Sequence, residues 1–413
     1  MKPKSQKIQG DYMPQFDKNF DGPLAGITVL DLSRLVAGNM VSLQLADYGA
    51  EVIKIEPAAK GDPLRHWVTD GLSISWKVYG RNKKSVSLDL RQDMAKDILL
   101  RLVEQADVMI ENYRPGTLEE MGLGPVVLHA RNPGLILVRV SGFGQTGPYK
   151  HRPGFGTLVE AMSGFADRNG FADREPVLPP LAMADMIAGL SGAMSVLIAL
   201  REREVRGGDG QVIDLSLLEP IFSILGAEPA WHQVTGKTRE RVGSGSNTAS
   251  PRNVYATKDD KWLAMSGSMQ SMAERIFQVI GRADMNNDPK FRTNEARVEN
   301  RLEVDKIVGD WIGSRTLDEC MEVFDRESVT VAPVYDIEQI MNDPHFRERE
   351  IIVDLPDTEM GTVAMHNITP RLSSTPGGFT RPAPALGQHN AEVLARIGIK
   401  KSDLTKLKNQ GVV

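Results

Sequence analysis

One stretch constrains the fold of this chain more than any other. Residues 186–200 contain no proline and no charge, and a charged run at 201–204 ends the pattern. Pro179 and Pro180 discourage an earlier helix, because proline lacks an N–H donor and biases the residue before it away from helical angles. The stretch 177–204 therefore predicts a buried helix that opens with a single acid, Asp185. Ala184, Ala188 and Gly192 recur four residues apart and Gly189 stands four after Asp185, so the carboxylate faces a ridge of very small side chains. That ridge leaves room for a bulky ligand or for the close approach of another helix. Asp185 itself either carries chemistry or caps the helix, accepting first-turn N–H groups and complementing the dipole.

A chain of 413 residues, 41% hydrophobic and 25% charged, is large enough for two or more domains. Its net charge of -5, with no long Lys/Arg run, argues against nucleic acid as a partner. Cys320 is the only cysteine, which excludes an intrachain disulfide framework and a zinc site of several thiolates, and fits a reducing compartment. The first residues lack the apolar core of a signal peptide, and the charge-free run after Asp185 is shorter than a typical membrane span. The expectation is a soluble, cytoplasmic protein with no membrane partner.

Residues 1–22 are polar and aperiodic, as befits an N-terminal arm. A β-rich run at 27–32, a helical pattern through Met40, Leu43, Leu45 and Ala46 that Gly49 ends, and a second β-rich run to Glu56 make a βαβ unit. Such units predict a parallel sheet that binds ligands at the carboxyl ends of its strands. Residues 33–39 hold one glycine where a dinucleotide fingerprint needs three, so nicotinamide chemistry loses support. Further strands are expected to end near Leu90, at 107–112 and at 135–144, which puts Asn112, Tyr113 and Arg114 in a carboxyl-end loop. The basic run Arg81, Lys83 and Lys84 reads either as a solvated turn or as a landing place for ligand phosphates. The Gly/Pro-rich segment 142–156 reads as an active-site loop. After a strand near Val212 the chain turns polar and glycine-rich. The expected domains are a large one over 23–225, a smaller one over 226–330, and a C-terminal segment over 331–413.

The seven histidines are scattered without a zinc motif, no GxSxG elbow occurs, and Cys320 sits in an amphipathic pattern that suits a core. A carboxylate nucleophile remains. Aspartate attacks an activated acyl group and holds it as an anhydride or thioester, for which it has to be ionised. A helix N-terminus and backbone donors are expected to lower its pKa against the desolvation that raises it.

The segments GITVLDLSRLVAGNM, LADYGAEVIKIE, RNKKSVSLDL, ADVMIENYRPGTLEEMGL, SGFGQTGPY, ADMIAGLSGA and GQVIDLSLLEP, in this order, resemble the family III CoA-transferases, a superfamily that includes formyl-CoA and carnitine CoA-transferases and the α-methylacyl-CoA racemases. The resemblance implies an α/β fold in which a Rossmann-like parallel-sheet domain is built from both chain ends, with a smaller α+β domain and an interlocked homodimer. It implies that Asp185 is catalytic, passing through aspartyl anhydride and aspartyl-CoA thioester intermediates, with the CoA thioester as substrate and no metal or permanently bound cofactor. By position it implies that Leu35, Val36 and Ala37 contact CoA, that Leu88 and Arg91 edge the adenosine, and that Asn112, Tyr113 and Arg114 line the path from pantetheine to phosphate. The loop 243–251 resembles the one that folds over the aspartyl intermediate, although a Gly/Ser run also makes a plain linker.

Three departures from the family pattern stand out: Asn39 where AGP is common, Gly156 where RPGFD has an acid, and Phe155 where racemases carry a histidine. Phenylalanine has no proton acceptor, which speaks against racemisation. The alternatives are an acyl-CoA racemase, an intramolecular CoA mover, or a CoA-binding regulatory domain. Arg152, Arg168 and Arg252 can each pair the second carboxylate of a dicarboxylic substrate.

Overall fold

The computed structural model describes residues 14–413, so residues 1–13 of the expected N-terminal arm lie outside the described residues. Six strands, β1 (Thr28–Asp31), β2 (Glu51–Glu56), β3 (Lys83–Ser87), β4 (Val108–Glu111), β5 (Ile136–Ser141) and β6 (Val212–Ser216), form one sheet in the order β3-β2-β1-β4-β5-β6. All neighbours pair in parallel. This is a doubly wound order whose direction reverses between β1 and β4, where ligands bind in such sheets. The inner strands are buried on both faces and read as continuous apolar runs, as parallel strands covered by helices do. Helix Asp93–Val103 covers the sheet with Ala95, Ile98, Leu99, Leu102 and Val103, a stripe at helical spacing.

The long apolar helix spans Met183–Arg206, 24 residues with a mean hydropathy of 1.8 over its most apolar window. It is longer than the charge-free run suggested, and in length and composition it matches a membrane span, yet 44% of that window is buried. It is also less buried than its sequence suggested, because Leu190, Met194, Leu197 and Ile198 are exposed. The small-residue ridge is filled by protein. A Cβ on Gly189 would come within 2.5 Å of Met40 Cβ, and one on Gly192 within 2.7 Å of Val41 Cγ2, so helix Ala37–Ala46 is what the glycines admit.

The chain forms two compact units. The first comprises residues up to 163, Pro179–Leu225 and Glu348–Val413; the second comprises Gly164–Leu178 and Gly226–Arg347. In the second, an antiparallel sheet of β7 (Arg252–Ala256), β8 (Trp262–Ser266) and β9 (Val331–Pro333) shares a core with Phe277, Ile312, Cys320 and Phe324. Burial pushes the Cys320 thiol up to about 11, in keeping with a core role. In the first, the helices Asn390–Arg396 and Lys401–Asn409 add Val393, Leu394 and Leu407 to the core of Ile53, Val86 and Leu99. The hairpin of β10 (Ile352–Asp357) and β11 (Gly361–His366) was not anticipated, since Pro356 falls within its first strand and proline argues against a strand interior.

The basic run 81–84 fits neither of its expected readings. Arg81, Lys83 and Lys84 are buried, and each is paired: Arg81 with Asp47 at 2.6 Å, Lys83 with Asp31 at 3.4 Å, Lys84 with Glu392 at 2.5 Å and with Glu51. Asp31 also pairs Lys54 at 3.1 Å and accepts from the hydroxyls of Ser33 and Ser42. Burial alone raises the Asp31 carboxyl, but the two ammonium groups and the hydroxyls outweigh it and leave it below its ordinary value. Asp31→Ala leaves Lys83 buried without an ion-pair partner, so equilibrium denaturation at pH 7 is expected to show a loss of about 3–5 kcal/mol. A loss below about 1 kcal/mol would show that the buried charges are compensated elsewhere.

Candidate active site

At the reversal point, the loops after β1 and β4 are tied together. Asn112 accepts the Arg34 N–H through Oδ1 at 2.9 Å and donates through Nδ2 to the Arg34 carbonyl at 2.8 Å. Leu35 sits at the tip of the first loop with φ of 64°, a left-handed conformation uncommon in a residue other than glycine. Its N–H donates to Asp62 Oδ1 at 3.0 Å. Asn39 explains its own departure from the family pattern: its amide donates to Asp62 at 2.8 Å and to the Leu35 carbonyl at 2.5 Å, while its oxygen accepts from Lys83 at 2.9 Å. A proline there has no such reach.

The glycine-rich loop after β5 folds back on the strand end so closely that a Cβ on Gly142 would lie 2.6 Å from Gly154 Cα. Together the three loops and the start of helix Met183–Arg206 enclose a cavity of about 260 Å3, with Asp185 on its wall beside Leu35, Ala37 and Phe155. Asp185 is not the helix cap. The cap position, Ala182, offers no side-chain bond, and the buried Glu160 of helix Gly156–Met162 accepts the Ala184 N–H at 3.0 Å instead.

Burial, followed by the nearby charge of Glu160, raises the Asp185 carboxyl to about 6, and its own N–H and that of Ala37 recover only part of this. The sequence-based expectation of a lowered pKa is therefore wrong in sign: desolvation outweighs the helix terminus. A carboxylate with a pKa near 6 is still ionised at neutral pH and is more basic than an exposed one. Gly156 makes the arrangement possible, because a Cβ there would collide with Asp185 Oδ2.

Leu35, Ala37, Asn112, Tyr113 and Arg114 thus line one cavity with Asp185. Val36 and Leu88 do not: they are 4% and 1% exposed, and Leu88 packs in the core of the first unit. Arg91 lines a second cavity of about 880 Å3 with Lys60, His66 and Lys408, and the two cavities share Arg34 and Pro63. Sequence reasoning missed Arg34, Lys150 and Glu160. The first two were visible as basic residues of carboxyl-end loops, whereas Glu160 acts on a residue 24 positions away and leaves no local pattern. Arg34, Arg114, Lys150 and Arg152 line the Asp185 cavity with no ion-pair partner among the described residues; Arg34 lies 5.4 Å from the Tyr113 ring centroid and Arg152 stacks on Tyr149 at 3.8 Å. No cluster able to hold a metal occurs among the described residues.

A parallel sheet with one partly buried carboxylate at its reversal point, rimmed by cations that form no ion pair among the described residues, can hold an anionic ligand against that carboxylate. The chain belongs to CoA-transferase family III, whose profile matches residues 24–390. It is 40% identical over 395 residues to the succinyl-CoA–D-citramalate CoA-transferase of Chloroflexus aurantiacus, covering 95% of this chain and 98% of that one. It is 34% identical to the succinate–glutarate CoA-transferase of Agrobacterium fabrum over 91% of this chain and 96% of that one. A CaiB/BaiF family protein from Brucella suis superposes with a TM-score of 0.80 at 29% identity, over 91% of this chain and all of that one. The protein is an enzyme that moves CoA between a CoA thioester and a free acid.

Gly156→Ala is expected to leave the fold intact, to displace the Asp185 carboxylate and to lower kcat about 100-fold, the scale of a misplacement of about 1 Å at an active site. Steady-state kinetics with circular dichroism as the folding control checks it, and wild-type turnover would mean that Asp185 has slack the packing does not show.

Proposed function

We propose that Asp185 is the nucleophile of a CoA transfer between two dicarboxylic acids, and the observation that carries this reading is its partly buried, weakly solvated carboxylate on the wall of the cation-rimmed cavity. The adenine nucleotide lies in the basic cavity of Lys60, Arg91 and Lys408, Arg34 bridges the two cavities, and the thioester reaches Asp185 past Asn112 and Tyr113. Arg34, Lys60 and Lys408 form no ion pair among the described residues and suit the phosphates of CoA, whereas Arg91 is held by Asp89 at 2.7 Å. A carboxylate oxygen of Asp185 attacks the thioester carbonyl, CoA leaves as the thiolate, and an acyl anhydride remains on Asp185. The thiolate attacks the aspartyl carbonyl and releases the first acid as its carboxylate. The acceptor carboxylate then displaces the thiolate to form a second anhydride, and thiolate attack on the acceptor carbonyl frees Asp185 and the new CoA thioester. The names of the two curated relatives, with succinate, citramalate and glutarate as their acids, support a dicarboxylic pair.

Asp185→Ala is expected to abolish turnover while CoA still binds, and hydroxylamine with an acyl-CoA is expected to inactivate the wild type by converting Asp185 to a hydroxamate. Substantial turnover by the Ala variant would remove Asp185 from the mechanism.

Because the nucleophile has to be ionised, kcat/KM for the acyl-CoA falls as pH drops through about 6. Glu160→Gln keeps the acceptor oxygen for Ala184 and removes the neighbouring charge, so this acid limb moves to lower pH. The opposite shift, or none, would mean another group sets the limb.

We further propose that the exposed apolar face of Leu190, Met194, Leu197 and Ile198 is covered by a second copy of the chain. Sedimentation at micromolar concentration is expected to show a dimer, and an active monomer there would contradict it.

A further inference from the structure

The second unit holds a cavity of about 1040 Å3 that shares no lining residue with the two described above, and its lining includes the 243–248 part of the glycine-rich loop. Its charged members are Arg168, Arg239, Arg252 and Glu228, three cations against one carboxylate. The three arginines are not equivalent. Arg168 is committed to structure: it donates to the carbonyls of Arg239 and Glu240 at 3.1 and 2.9 Å and to Asn247 Oδ1 at 2.8 Å. Arg252 hydrogen-bonds through Nη1 alone, to the Gly245 carbonyl at 2.8 Å and, more weakly, to that of Ser244 at 3.5 Å.

Arg239 makes no side-chain hydrogen bond among the described residues. Its Nε is buried without a partner, Glu228 Oε1 stands off at 3.6 Å, and the guanidinium lies 4.7 Å from the centroid of the Trp231 ring. A largely buried guanidinium with idle donors is costly unless a ligand takes them. The remaining polar wall is hydroxyl and amide, with Ser244, Ser246, Thr248 and Asn253 able to meet carboxylate oxygens or a substrate hydroxyl. The planar fork of arginine matches a carboxylate in two parallel hydrogen bonds, which an isolated ammonium cannot do.

We infer that this cavity is a binding site for a free dicarboxylate, taken as its dianion at a site that does not include Asp185, with Arg239 and Arg252 as the carboxylate donors and Glu228, which faces both Arg168 and Arg239 at 3.6 Å, as the internal acid that the ligand displaces. The inference takes its class of acid from the proposed reaction, but not its site, and Asp185→Ala protein separates the two. That variant lacks turnover yet keeps full succinate binding, so loss of succinate binding in a folded Asp185→Ala protein would overturn the placement without touching the nucleophile.

Isothermal titration of succinate into the CoA-free full chain is the direct test. Succinate is expected to bind once per chain, and butyrate, with one carboxylate, at least tenfold more weakly. Arg239→Gln is expected to weaken succinate about tenfold or more, the scale of a lost charge-assisted hydrogen bond. Glu228→Gln removes the competing carboxylate and is expected to tighten binding, a gain that misfolding does not produce. In turnover, Arg239→Gln leaves KM for the acyl-CoA unchanged. Three results would overturn the assignment: no succinate binding by wild type, inorganic phosphate binding as tightly as succinate, or unchanged affinity in both variants.

Discussion

The ligand edge of the first unit hangs on charges that never meet solvent. Asp31, Lys54, Asp62 and Lys83, on or just beyond β1, β2 and β3, are all buried, and their pairs and hydrogen bonds reach directly into the loop after β1. Lys54 donates to the Ser33 carbonyl, Asp62 holds the Leu35 N–H, and Asn39 joins Asp62 to Lys83. Taking ions out of water is unfavourable, so a network like this persists only where the geometry satisfies nearly every lone pair and proton. What it gives in return is a left-handed turn at Leu35 held in one conformation, and with it a fixed wall for the Asp185 cavity.

The same tension between desolvation and compensation, resolved the other way, shapes Asp185. Asp31 has two ammonium groups and ends below its ordinary pKa, whereas Asp185 has only backbone donors, a neighbouring Glu160, and ends above it. The sign has a thermodynamic corollary. A carboxyl whose folded pKa is raised favours the folded state while protonated, and that contribution fades as pH rises through about 6. Over the range where Asp185 is ionised it therefore opposes folding, and the surrounding packing of Gly156, Gly189 and the first helix holds it in place.

Much of this was readable from the residues. Strand and helix alternation through β5 follows from period and punctuation, and Asp185 stood out as a lone acid before an apolar run. The failures share a cause, which is that burial is not a local property. The run of Arg81, Lys83 and Lys84 looks like surface until Asp47, Asp31 and Glu392, each far away in sequence, are brought to it. The ridge of small residues signals close approach, but whether of ligand or helix depends on where Met40 and Val41 land. Glu160 is an ordinary helical residue until its carboxylate meets the Ala184 N–H, and Arg239 sits in a stretch that reads as a polar linker.

The cover that residues 390–412 place over β3 bears on how the protein comes to be made. Ser87 N–H donates to Asn390, Lys84 pairs Glu392, and the Asp89 N–H donates to the Val412 carbonyl. A nascent chain therefore carries β3 with its flank bare throughout synthesis of the second unit, while that unit, drawn mostly from one continuous segment, has its partners at hand. Long loop closure is slow and leaves apolar surface open to association. The order of maturation is thus inverted relative to the sequence: the inserted unit can set first, and the unit that holds β3 waits for residues 390–412.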